Sequence, residues 1–84
     1  MQHRQLRGAI LRLLAERGEG KTIRPSEAAR AVAASDVRED WEPLMQPARE
    51  VARELAGEGK IDITQRGHIV DGATAKGPIR LRLR

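Results

Sequence analysis

Near the start of the chain, the apolar residues Leu6, Ala9, Ile10, Leu13 and Leu14 recur at three- and four-residue spacing. That spacing predicts a helix over 5–17 with one apolar face, and with Arg7, Arg12 and Glu16 on the opposite side. Gly18 and Gly20 end it, because glycine adopts the left-handed conformation after a helix at little cost. Lys21-Thr22-Ile23-Arg24 has room only for a turn or a brief strand. Pro25-Ser26-Glu27 opens a second helix over 25–34, where proline takes a first-turn position whose N–H would have no intrahelical partner. Ala28 and Val32 then face inward, and Glu27 and Arg30 face outward.

A polar connection over 35–40 follows. Beyond it Trp41, Leu44, Met45, Ala48, Val51, Ala52, Leu55 and Ala56 fall on one arc of a helical wheel, which predicts the longest helix of the chain. Pro43 suits its first turn, whereas Pro47 removes a backbone donor, so a kink or restart is expected near Gln46-Pro47. On this arc Trp41 is expected to be substantially buried, and its truncation to alanine to cost about 3 kcal/mol or more. Gly57 and Gly59 close the helix. Strict alternation over 60–64 and again over 79–84 predicts two strands, each with one buried face, joined by a glycine-punctuated loop over 66–78. Helix, short strand, helix, long helix, strand, loop, strand is the order of an α+β winged helix-turn-helix: three helices plus a C-terminal β-hairpin. A three-helix bundle with a loose C-terminal hairpin is the alternative.

At 84 residues the chain is expected to form a single domain over 1–84, because its apolar content cannot be divided between two stable cores. It has no cysteine, so there is no disulfide, thiolate zinc site or cysteine nucleophile, and stability must come from packing. One tryptophan is the only aromatic residue, which leaves Leu, Ile, Val and Ala to fill the core. The same scarcity argues against single-stranded nucleic acid as a ligand, since sheets that bind it stack bases on rows of aromatic rings. Met1-Gln2-His3-Arg4 leads straight into a charged amphipathic stretch, and no apolar run has membrane-spanning length, so the expected compartment is the cytoplasm, with no membrane partner.

Pro25-Ser26-Glu27, Trp41 followed by Leu44-Met45, Pro47, and above all the closing Lys76-Gly77-Pro78-Ile79-Arg80 resemble the bacterial domain-of-unknown-function family numbered thirty-two fifty-three. The resemblance extends over nearly the whole chain. It implies a winged-helix-like domain, and it brings no activity, cofactor or catalytic residue with it. One departure is Gln46, which separates Met45 from Pro47 where the family pattern sets Met and Pro side by side.

Candidate catalytic and metal chemistry is sparse. Gly18-Glu19-Gly20-Lys21-Thr22 is similar to the end of a phosphate-binding P-loop, but the first glycine of that motif would fall at Ala15, inside a helix, and a P-loop follows a strand rather than a helix. His3 and His68 have no second imidazole or carboxylate at a metal-ligand spacing, so no metal site is expected. Ser26 and Ser35 have no neighbouring base, and Ser26 reads as a first-turn helix residue. Neither an enzyme nor a cofactor is expected.

Charge is the remaining signal. The formal net charge of +4 conceals a division: residues 1–24 hold six basic and two acidic side chains, residues 25–58 four and eight, and residues 59–84 six and two. The recognition helix of a winged helix would thus lie in the acidic third, which is poorly suited to a groove walled by phosphates. Its exposed face offers Gln46, Arg49 and Arg53 against Glu42, Glu50 and Glu54. Alternation in the last strand instead places Arg80, Arg82 and Arg84 on one face, with Asp62 opposing them, while Arg66, His68 and Lys76 flank the wing. A charged sheet face that merely keeps an edge soluble would look the same. Two functions follow. The first is weakly sequence-selective binding of duplex DNA through the hairpin residues Arg66, His68, Lys76, Arg80 and Arg82, with Gln46, Arg49 and Arg53 secondary. The second is a non-enzymatic protein-interaction module on the same fold.

Overall fold

A computed structural model of the protein describes residues 2–84. Its elements are α1 (Gln2–Arg17), β1 (Thr22–Ile23), α2 (Pro25–Ala33), α3 (Arg38–Trp41) leading into a 3-10 turn (Glu42–Leu44), α4 (Met45–Gly57), β2 (Ile61–Gln65), β3 (His68–Ile69) and β4 (Arg80–Leu83). The four strands form one antiparallel sheet in the order β1-β4-β2-β3. The class is α+β, and the order of elements is consistent with a winged-helix arrangement. The three-helix bundle with a loose hairpin does not describe it: β4 is clasped between β1 and β2, and Ile79 and Leu81 belong to the core.

α1, α2 and α4 bury most of the faces that the spacing predicts, with Leu13, Val32, Met45 and Ala56 only half-buried. Leu6, Ala9, Ile10 and Leu14 of α1 meet Ala28 of α2 and Ala48, Val51, Ala52 and Leu55 of α4, and Ile61, Ile63 and Leu81 close the core from the sheet. The alanines let the helix axes approach closely, which offsets the lack of rings in this core. Outside the core, Arg7 of α1 donates to both oxygens of Glu58, at 2.8 and 2.5 Å. That hydrogen bond, aided by the opposite charge, holds the Glu58 carboxyl below the usual carboxylate range. The pair's contribution is therefore present at neutral pH and is lost as pH falls through that lowered value.

Two features differ from the sequence reading. The long helix breaks earlier than Gln46-Pro47: Pro43 sits in the 3-10 turn and α4 restarts at Met45. Pro47 is then the third residue of α4, where a backbone N–H has no intrahelical partner in any case, so it causes no break there. This earlier restart turns Trp41 off the arc of α4. The indole is half-buried and lies outside the core, with the guanidinium groups of Arg30 and Arg38 over its ring at 5.7 and 5.9 Å from the centroid, and its N–H donates to the Asp36 carbonyl at 3.4 Å. Trp41→Ala should accordingly cost about 1–2 kcal/mol in urea unfolding rather than the core value, since stacking on arginine outside a core is worth about 0.5–1 kcal/mol per contact. A loss above the core value would return the ring to the interior.

The second difference is in the loop over 66–78, which contains β3. Gln65 pairs with His68, so Arg66 and Gly67 alone make the hairpin turn, both with positive φ, 52° and 82°. That is the left-handed two-residue turn whose twist suits adjacent strands. Farther on, Gly72 lies against the core with no space for a side chain: a Cβ there would collide with Ile63 Cδ1 and come within 3.0 Å of Arg53 Cγ. Gly72→Ala should destabilise the fold by about 1–3 kcal/mol, as overpacking does. A loss below 0.5 kcal/mol on thermal or urea unfolding would mean, to the order of these overpacking costs, that the loop lifts away freely.

Candidate nucleic-acid interface

An open groove of about 1120 Å³ runs between the start of α2, the first turns of α4, and the end of the sheet that carries the β2–β3 hairpin. Its walls bring together Arg24, Arg49, Arg66, Lys76 and Arg80, with His68 beside them. No Asp or Glu lines it. Met45, Val70, Pro25, Pro78 and Ile79 supply its apolar floor and edges.

Local structure explains how these cations converge. Arg24 takes an extended conformation just before α2, where the Glu27 carboxylate accepts its backbone N–H at 2.7 Å and fixes the helix start. Arg49 lies one turn into α4 and donates to the Gly77 carbonyl at 3.3 Å, which ties the helix to the segment before β4. Gln65 Nε2 donates to the carbonyls of Lys76 and Pro78 at 2.6 and 3.1 Å, so the hairpin and the return segment are held together across the groove. Arg80 stands on the outer face of β4 and reaches Thr22 Oγ1 at 3.5 Å.

None of the residues that form ion pairs among the described residues lines this groove. Arg17 is bonded to Glu27 at 2.8 Å and Arg38 to Glu42 at 2.9 Å. Glu58 and Glu54, the carboxylates of the α4 end, turn toward α1, where they meet Arg7 and, at 3.8 Å, His3. Within the acidic middle third of the chain Glu54 and Glu58 thus face α1, Glu27 and Glu42 are paired with Arg17 and Arg38, and Arg49 lines the groove. The side chains of Arg24, Arg66 and Lys76 have no carboxylate partner among the described residues.

Of the residues singled out from the sequence, Arg66, His68, Lys76, Arg80 and Arg49 line the groove. Arg82, Gln46 and Arg53 do not. Arg82 is half-buried and lies 3.5 Å from Asp62 Oδ2, with Arg84 sharing the same carboxylate at 3.7 Å. Gln46 is exposed at the start of α4, and Arg53 lays its aliphatic stem over Gly72. Arg24, Ser26 and Gln65 are groove residues that the sequence reading passed over. Arg24 reads only as the residue before a helix, and nothing in its local pattern says that α2 starts beside the wing.

Among the described residues, no three His, Cys, Asp or Glu side chains gather as a metal cluster would require, and no helix is long and apolar enough to cross a membrane. No curated protein matches the chain. A family match does extend over residues 3–84, nearly the whole length, and the chain belongs to the family described as "Protein of unknown function (DUF3253)".

Proposed function

We propose that this protein is a non-enzymatic duplex-DNA-binding domain that grips the phosphate backbone in the groove between α2, α4 and the wing. One observation carries the reading: five basic side chains, drawn from four separate stretches of the chain, line a concave surface to which no Asp or Glu contributes. Like charges that line one groove repel one another, and a polyanion relieves that repulsion while releasing its own counterions. Contacts of this kind fix position on a duplex but read few bases, so selectivity is weak. An acidic protein segment is the second reading, supported by the same cations.

Replacing groove cations singly by glutamine tests the assignment. Arg24→Gln, Lys76→Gln and Arg80→Gln should each weaken binding to all duplexes alike and reduce the slope of log affinity against log salt by about one. Arg82→Gln, which removes a cation already engaged by Asp62, should leave that slope unchanged. Equal losses from Arg82→Gln and the groove variants would remove the groove as the binding surface. Tighter binding of a glutamate-rich peptide than of a duplex with equal charge would favour the protein partner.

A further inference from the structure

The turn of the β2–β3 hairpin is made in an unusual way. Both of its central residues need positive φ, a conformation that Asn, Asp and Gly adopt readily and that costs other side chains roughly 1 kcal/mol or more. Gly67 meets that need at the second position, but the first is Arg66, with φ 52°. The only other described non-glycine residue with positive φ is Ala34, which occupies the left-handed position that ordinarily ends a helix. Nothing in the fold compensates Arg66: it is exposed, and its guanidinium has no hydrogen-bonding or ion-pairing partner among the described residues. Strain retained without a local return points to a role outside the fold.

The shape of the tip indicates that role. Gly67 brings no side chain and has open space around it, so one guanidinium is the only bulk at the end of a two-residue turn. A single projecting side chain of this kind can enter the minor groove of a duplex, about 6 Å wide, which a helix cannot enter. Behind it Ile69 is 64 % exposed, one of the two large apolar side chains left in solvent among the described residues. The register sets Ile69 in one row with Thr64 and Arg80 on the outer face of the sheet. Apolar side chains next to basic ones are the equipment of minor-groove contact, where the walls are sugars.

We infer that the Arg66-Gly67 tip enters the minor groove of the bound duplex, and that the Arg66 guanidinium favours A·T-rich sequence, where that groove is narrow and its negative potential strongest. This inference rests on the proposed DNA binding and adds a base preference to it. The test compares equal-length A·T, G·C and inosine·C duplexes at one salt concentration. Inosine lacks the 2-amino group of guanine, so the inosine·C duplex resembles A·T in the minor groove and G·C in the major groove. The protein should bind A·T and inosine·C duplexes alike and G·C about tenfold more weakly. Arg66→Asn, which suits the turn and should melt no lower than the parent protein, should bind all three equally. Inosine·C behaving as G·C, equal binding of all three by the parent, or a preference that survives Arg66→Asn would each overturn the inference while leaving groove binding intact. Failure of every duplex to bind at low salt would remove both.

Discussion

Affinity for a random duplex should fall by roughly two to three powers of ten between 50 and 200 mM salt, if the five groove cations each neutralise one phosphate. Each phosphate engaged frees condensed counterions, and the free energy of that release shrinks as the bulk salt concentration rises. The slope thus counts contacts independently of any structure of the complex. A log–log slope of about −4 to −5 matches Arg24, Arg49, Arg66, Lys76 and Arg80 acting together. A slope near −1 would mean that the cations do not act as one surface. Fluorescence anisotropy with a labelled duplex measures it directly. The triple variant Arg24→Gln, Lys76→Gln, Arg80→Gln should flatten the slope to about −2 and shift the affinity most at low salt, where the release term is largest.

Leu55→Ala should reduce unfolding free energy by about 3–4 kcal/mol and lower the melting temperature by roughly 15 °C. Leu55 is fully buried on α4, whose packing joins α1 to the sheet. Its neighbours are branched aliphatic residues and alanines, which leave no flexible ring to swing into the space. A domain of this size is stabilised by only about 4–13 kcal/mol, so this one side chain represents a large part of the total. Leu55→Met, which keeps the volume, should cost less than about 1.5 kcal/mol. If urea unfolding showed Leu55→Ala within 1 kcal/mol of the parent, the close-packed core described above would be wrong, since Leu→Ala in such cores costs about 2–5 kcal/mol.

Legibility in the sequence followed the range of the interactions. The face of α1 was readable because Leu6, Ile10 and Leu14 repeat within a single helix, and the split of β4 into Ile79, Leu81 and Leu83 against Arg80, Arg82 and Arg84 was readable because a strand alternates strictly. Glycines marked the helix ends for an equally local reason. β3 escaped notice because two residues have no period, and because arginine is not the residue that its turn chemistry prefers.

Tertiary structure decided the rest. Pro43 and Pro47 are both tolerable in a first turn, so local rules could not choose which of them begins α4. The choice at Met45 left Leu44 and Ala48 on the core and moved the one aromatic ring out to Arg30 and Arg38. Charge was divided in the same manner. Along the chain Arg49 belongs to an acidic stretch and Arg82 to a basic one, but packing aims Arg49 into the groove and gives Arg82 to Asp62. Arg24 and Lys76 are distant in sequence, and they share a surface only because β4 returns between β1 and β2 and brings the last strand next to the start of α2. Residue types and local periods are properties of short segments, and they determined α1, α2, β2, β4 and the basic face of the hairpin. A groove is a relation among segments, and only the folded sheet settled which cations meet there.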